Sequence, residues 1–523
     1  MRKAGTGPEV QPEDLDWKLI GAFIWHASMI IVSNALFAFL PPSDVRGLFR
    51  PARIGTYTLL YMFQVISLLS HRMVLSSNGF QPVTFKGWFI HIRARSWISV
   101  VLTRIFTRGR SWKCLVSTAG FFGANIVTAV AYVALYGRLK FGAHATDLGF
   151  GVLMAVCYSC IYLYRSKDVL AYPAIQRVRF FRVKERVPRA LQETLLYTVP
   201  ALLIFILSRR SLVPLGLLWG CMASCELCVM GWVLGGEMLQ IVFTERVQLA
   251  RPENPDPNEP LLSELASSNP FMQDLALLDL AITAEGQGGE AAWRRTFIFM
   301  DQSGRAAWGP LASYMLGEIR DFTEALAAAL PSASADTAAT SRLKGAAGPA
   351  ASNTAVRWNV LQPSPSTNLR ILNEELDLAA WNVRNKFYRI NWCMRGLCGL
   401  AVAAQRGEDR YGVVLLCEPT LPNITLSLLS VVLALQQYTK SVTAARSRRS
   451  SQFNPIVGHI DNVMLQPVEE VAFALEVAAR NAVNRLAVAY GDRLRECVQR
   501  VERANLAYGS KGDLESLLAT MLA

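Results

Sequence analysis

The stretch from Leu212 to Leu234, LVPLGLLWGCMASCELCVMGWVL, holds one charge, Glu226, and is long enough to cross a bilayer as a helix. About 20 mostly apolar residues cover the roughly 30 Å of a hydrocarbon core. Toward the N-terminus five more runs of this kind occur, Leu19 to Leu40, Ile54 to Ser70, Leu115 to Tyr136, Leu148 to Tyr164 and Leu191 to Ser208. The second and fifth are shorter and lean on flanking Tyr, Ser and Thr. Helix is the expected form, because each backbone amide in hydrocarbon must be paired within its own segment and the runs exceed barrel-strand length. No comparable run follows Thr244. The pattern therefore predicts an all-α protein, a six-span transmembrane helical bundle over 19–245 followed by a mostly helical cytoplasmic domain. The tail 1–18 carries Glu9, Glu13, Asp14 and Asp16, unlike the basic start of a cleaved signal peptide, so the first run reads as a retained anchor.

Basic residues set the orientation. The tail, the Arg72 to Lys113 loop and the Arg165 to Glu193 loop hold 19 Lys and Arg, against 7 on the opposite side. The positive-inside rule then places both termini in the cytoplasm. Residues 1–250 hold 27 Lys and Arg against 12 Asp and Glu, while the whole chain is +13, so the basicity belongs to the membrane half. Anionic lipid headgroups, rather than nucleic acid, are the surface such juxtamembrane charge attracts. No acidic residue occurs between Asp44 and Asp147. In that gap Trp88, Phe89, Trp97 and Phe106 interleave with Arg93, Arg95, Arg104 and Arg108, a composition for a helix lying in the headgroup layer. An ordinary basic cytoplasmic loop accounts for the same residues.

Chemistry-bearing motifs are sparse. Cys157 and Cys160 form one C-x-x-C pair and Cys225 and Cys228 another, with Cys221 one turn earlier. Both lie inside expected spans without a nearby His, where burial favours the thiol over the thiolate that a metal needs, so packing is the preferred reading. Glu226 is the one clear intramembrane carboxylate; with no partner at matching depth in another span it reads as a protonated or helix-bonded side chain rather than a proton relay. Gly216, Gly220 and Ser224 suit close helix contact, including a homodimer. There is no Walker A, no G-x-S-x-G and no H-E-x-x-H motif, and the five histidines are scattered. Neither enzymatic activity nor any cofactor or metal is expected.

The second half opens after Arg251 to Pro260, where four prolines prevent a continuous helix. A helical subdomain over 246–330 follows. Asn269 reads as an N-cap with Pro270 in the first turn, and Phe271, Leu275 and Leu278 recur at helical spacing. Trp293 and Trp308 mark two further helices. These five residues are read first as packed core and are also the candidates for partner docking. Residues 331–365 are rich in Ala, Ser, Pro and Gly and read as a flexible linker. The C-terminal domain, 366–523, resumes with a helix near Asn368. Ile424 to Leu435 is apolar but only 12 residues long, better suited to a buried helix than to a span. Ser447 to Ser451 reads as a basic break, Val471 to Leu494 as a long amphipathic helix, and a short helix begins at Leu514.

The order of these features resembles the six-pass transmembrane nucleoporins of the NDC family. The resemblance rests on Asn269-Pro270-Phe271, on Leu275 through Leu280, on Trp293-Arg294-Arg295 and Trp308, and on Leu421-Pro422, Leu428-Leu429, Leu435 and Tyr438-Thr439-Lys440. It implies a structural component of the nuclear pore complex, with its spans in the pore membrane and both termini on the cytoplasmic side. Its implied partners are membrane lipids, the soluble scaffold nucleoporins that the cytoplasmic half docks and other pore-membrane proteins, with no direct nucleic acid; a role in pore assembly and, in fungi, in spindle pole body insertion follows. The chain departs from the family in its Ala-rich linker. The rival reading is a multi-pass small-solute transporter with a cytoplasmic regulatory domain, for which Pro200 and Pro214 interrupt the last two spans; no matching pair interrupts the first three.

Overall fold

Two caps show how local chemistry starts helices in each half. The Asp147 carboxylate accepts from the amide of Gly149 at 2.8 Å, and Asn269 accepts from that of Phe271 at 3.1 Å with Pro270 in the first turn. Each supplies an acceptor to an amide that has no partner within its helix. The computed structural model describes residues 12–38, 51–76, 112–137, 147–165, 167–208, 214–250, 256–300, 307–330, 365–406, 420–452, 455–499 and 507–522. The chain forms two compact units, Met1–Arg246 and Val247–Ala523. Among the described residues there is no strand, only a bridge between Ser76 and Val169.

The first unit holds α1 (Pro12–Ala38), α2 (Pro51–Val74), α3 (Trp112–Ala131, continued by a π-turn over Tyr132–Gly137), α4 (Leu148–Tyr164), α5 (Arg179–Ser208) and α6 (Leu215–Phe243). α6 packs against all the others. Gly231 and Gly235, four residues apart on it, open the groove that α2 fills. A Cβ on Gly231 would lie 2.7 Å from the Gln64 side chain, and one on Gly235 2.9 Å from Leu68. Small residues at this spacing let two helices approach closely where lipid supplies no hydrophobic drive. Around Trp232 the core is aromatic, with Tyr158 at 4.7 Å from the Trp232 ring and Tyr197 at 4.9 Å from Tyr158.

The outside of this unit is apolar as well. Among the described residues, every exposed large apolar side chain except Phe473, Val477 and Val488 lies in it. Water-facing proteins rarely show so much contiguous apolar surface. By length and composition, α3 with its π-turn (Leu115–Tyr136), α5 and α6 can each cross a membrane, while α1 and α4 carry shorter apolar stretches, Trp17–Ser33 and Leu148–Leu163. α2, expected as a span, is not among them. Gln64, Ser67, Ser70 and His71 lower its hydropathy, and all four are buried inside the bundle. Two spans also differ in extent from the sequence reading: α5 begins 12 residues before Leu191, and α6 runs past Leu234 to Phe243.

The second unit holds α7 (Glu259–Ala266), α8 (Pro270–Glu285), α9 (Gly289–Phe299), α10 (Trp308–Ala328), α11 (Pro365–Gln405), α12 (Thr420–Gln452), α13 (Pro455–Tyr490), α14 (Asp492–Gln499) and α15 (Lys511–Leu522). α11 lies against α8, α10 and α13, and α12 against α10, α13 and α14. Pro260, expected to oppose a helix, sits in the first turn of α7, where its missing amide costs nothing. Gly491, with φ 53°, takes the left-handed turn that separates α13 from α14. The apolar run from Ile424 is part of a much longer helix: α12 continues unbroken through the Ser447–Ser451 segment read as a break. Its Thr420–Ala444 portion reaches span length, and 61% of its most apolar window is buried against neighbouring helices. The linker lies outside the described residues up to 364.

Candidate functional site: an ion clamp on an apolar bundle

The polar side chains of the first unit converge on α6. Midway along it, the hydroxyls of Thr194 and Thr198, one turn apart on α5, each donate to one carboxylate oxygen of Glu226. The sequence reading found no partner for Glu226 because it compared charged residues only. Near the middle of the bundle, the Ser67 hydroxyl donates to Asn125 Oδ1 at 2.7 Å, and Asn125 Nδ2 donates to the Ser159 hydroxyl at 3.1 Å. His71 Nδ1 lies 2.7 Å from the Ser67 carbonyl, so it carries the proton, and Nε2 accepts from the Tyr158 hydroxyl at 2.9 Å. His26 Nε2 meets the Gly231 carbonyl at 3.1 Å. Histidines that are scattered in sequence thus both serve helix contacts.

At the C-terminal end of α6 the contacts become ionic. Lys167 bridges Glu193 and Glu237, each at 3.0 Å, and Arg186 takes the other oxygen of Glu237. Gln240 donates to the carbonyls of Lys167 and Val169 and accepts from the Ala171 amide, so the connector 165–178 is pinned to α6. Arg182 donates to the Ile241 carbonyl at 3.0 Å and to the Thr244 hydroxyl at 2.6 Å. A cation at this position satisfies acceptors that the helix end leaves open and complements its dipole. Arg179 meets Glu245 at 2.7 Å, and Lys18 reaches the same carboxylate at 3.7 Å. Tyr158, Tyr162 and Tyr197 roof a small cleft above Lys167, Glu193 and Glu237. Among the described residues no group of three or more His, Cys, Asp or Glu could hold a metal ion; Cys225 and Cys228 are buried thiols in the bundle.

The second unit joins its helices with buried ion pairs. Arg294 of α9 meets Asp279 of α8 at 2.8 Å with both side chains inside, and also donates to Thr283. Arg295 caps the end of α8 through the carbonyls of Thr283 and Gly286. On α11, Arg389 pairs with Asp274 and Glu318. Glu285 is held by Arg395 and Arg485, each at 2.5 Å. Burial works against both carboxylates and the outcomes differ. It pushes the Asp274 carboxyl up to about 6 despite Arg389, whereas two guanidiniums hold Glu285 below the ordinary range.

The docking candidates divide by burial. Leu275, Leu278 and Trp308 lie in the core with at most 3% exposure; a periodic apolar face marks core as readily as interface. Phe271 and Trp293 are half-buried, Trp293 with its ring 4.9 Å from that of Phe297. Trp88, Phe89, Arg93, Arg95, Trp97, Arg104, Phe106 and Arg108 lie outside the described residues.

Residues 147–378 match the family described as Nucleoporin protein Ndc1-Nup. Over that region the chain is similar to the Ndc1-Nup nucleoporins. No curated protein matches it. The Ndc1-Nup match begins at the Asp147 cap and includes the ion clamp of the first unit and the Asp279–Arg294 pair of the second. The family is one of structural nucleoporins with a role in the nuclear pore, and the apolar helices agree with a pore-membrane location. Ion pairs of both units join one helix to another, and Arg182 and Arg295 also take helix-end carbonyls.

Proposed function

We propose that this nucleoporin anchors soluble scaffold nucleoporins to the pore membrane and supports pore assembly. The observation that carries the reading is the Ndc1-Nup match itself, which runs from α4 in the apolar-surfaced unit to the start of α11 in the unit whose surface is polar. One unit offers lipid contact and the other a helical surface for proteins. Six crossings remain the preferred count. The exposed side chains of α2 from Ile54 through Leu59, Met62 and Ile66 to Leu69 are apolar apart from Thr58, while Gln64, Ser67, Ser70 and His71 face in and the exposed Arg72 stands near the helix end. Both termini then lie on the cytoplasmic side. Phe271 and Trp293 are the docking residues that stay accessible, and the basic aromatic segment around Trp88 to Arg108 adds a membrane-surface contact. Gly216, with open space around it, is where a second copy would meet α6. Insertion of spindle pole bodies extends the same anchoring role.

The test is to express the full chain with a fluorescent tag in a related cell, image it against a pore marker and identify neighbours by proximity labelling. Punctate rim signal overlapping pores, with soluble nucleoporins among the labelled neighbours, is the expected result. Signal confined to the plasma membrane or endosomes overturns the reading.

A further inference from the structure

The clamp at the end of α6 fixes a ring of exposed aromatic and aliphatic side chains at one level of the bundle. Glu245 is the reference point: it takes Lys18 of α1 and Arg179 of α5 on the same carboxylate, so Trp17 and Phe180, their sequence neighbours, stand at the same height. Arg179 reaches across to α1, where a Cβ on Gly21 would lie 3.8 Å from Nη1. Trp17 is 70% exposed, and Phe180 and Phe181, in edge-to-face contact at 5.7 Å, are 56% and 57% exposed. Ile175 and Val178 on the connector are as open. This connector is held in place, since the Ala171 amide donates to Gln240 and the Gln176 side chain to the Thr244 carbonyl. Large apolar side chains held rigidly in the open need an occupant.

Two features identify it. The first is continuity: from Phe181 the exposed face of α5 descends at helical spacing through Pro188 to Leu195, Val199 and Ile206, the face that meets lipid if α5 spans the membrane. Aromatic residues bordering such a face mark the interfacial layer. The second is charge. Between Ala171 and Arg189 the only acidic residue is Glu185, which Arg177 and Arg189 share at 3.6 and 3.7 Å, while Lys184 is exposed beside them. The exposed group thus carries an excess of positive charge close in the chain to Phe180 and Phe181. We propose that Trp17, Ile175, Val178, Phe180 and Phe181 form an apolar collar seated in the headgroup layer of an anionic leaflet, with Arg177, Lys184 and Arg189 against its phosphates.

The inference rests on the reading of α5 as a span, and the test separates the two. A photo-crosslinking benzoylphenylalanine is placed at position 181, 199 or 488 of the full chain, which is reconstituted in vesicles of equimolar phosphatidylcholine and phosphatidylserine. Lipid adducts are expected at 181 and 199 and not at 488, an exposed position in the second unit. At 181 the phosphatidylserine adducts should outnumber the phosphatidylcholine ones about 5 to 1, the preference a single basic residue confers. Arg177→Gln, Lys184→Gln and Arg189→Gln together should return that ratio to about 1. Adducts at 199 without any at 181 overturn the collar and leave the span standing; adducts from 181 to protein do the same. No lipid adduct at 199 overturns the span and the collar with it. Equal labelling of both lipids at 181 overturns the anionic preference.

Discussion

The two units solve the burial of polar groups in opposite ways. In the first, hydroxyls, amides, imidazoles and the threonine-bonded Glu226 side chain meet across the middle of the bundle, and the ion pairs gather at one end, on Lys167, Arg186, Glu193 and Glu237. In the second, ion pairs sit within the helix packing, Asp279–Arg294 most deeply. The surfaces are inverted too: among the described residues, exposed large apolar side chains are almost confined to the first unit. Solvent accounts for the contrast. A charge between helices in hydrocarbon has no water to fall back on during assembly, whereas neutral hydroxyls can bond to their own helix until a partner arrives.

The sharpest way to break this comparison is topological. α12 has a span-length apolar portion, yet it belongs to the water-facing unit in our reading. A glycosylation tag inserted at Gly142 should be modified, and tags after Met300 or Ala523 should not. These outcomes are all-or-none. Modification at the C-terminus but not after Met300 would put α12 across the membrane and redistribute the units.

The next largest effect is expected at the Asp279–Arg294 pair. Asp279→Ala leaves Arg294 buried without its counter-charge, which costs about 3–5 kcal/mol. Hydrogen exchange of the full-length protein should show α8 and α9 opening faster while α6 is unchanged. The double change Asp279→Leu with Arg294→Met should recover most of the protection, because it removes both charges together.

A pH experiment sharpens the contrast inside the second unit. Asp274 has its folded pKa raised to about 6 from an ordinary 3.8. Its contribution to stability is therefore fully present below about pH 4 and lost as pH rises through 6. Glu285 runs the other way: held low by Arg395 and Arg485, it stabilises above its ordinary range and loses that contribution on acidification. Between pH 4.5 and 6 both favour the fold. Asp274→Asn should flatten the dependence of melting temperature on pH across this window, removing up to about 2 kcal/mol of variation. A slope unchanged by the substitution would assign the titration to another group.

Sequence periodicity made the helical character and the cap at Asn269 legible, since both depend on neighbours within one turn. The partners of Glu226 were not: Thr194 and Thr198 matter only once α5 docks on α6, and no local rule pairs residues about 30 positions apart. α2 reads as a short apolar run because its polar residues are counted before it is known that they point inward. Asp279 and Arg294 stood in the motifs that carried the family resemblance, but nothing local joins them across two helices. Leu275 and Trp308 show the converse, where a correct helical pattern left core and docking surface indistinguishable.

The smallest expected effect tests the first unit on its own terms. Asn125→Leu removes both links of the Ser67–Asn125–Ser159 chain. Measured costs of such interhelical bonds are modest because each freed hydroxyl can return to a carbonyl of its own helix, so a loss of about 0.6–2 kcal/mol is expected. Unfolding of the reconstituted chain in bicelles reads it directly. A cost near that of Asp279→Ala would mean that the freed hydroxyls find no such substitute, and the distinction between a bundle fastened by neutral bonds and a unit fastened by charge would lose its energetic basis.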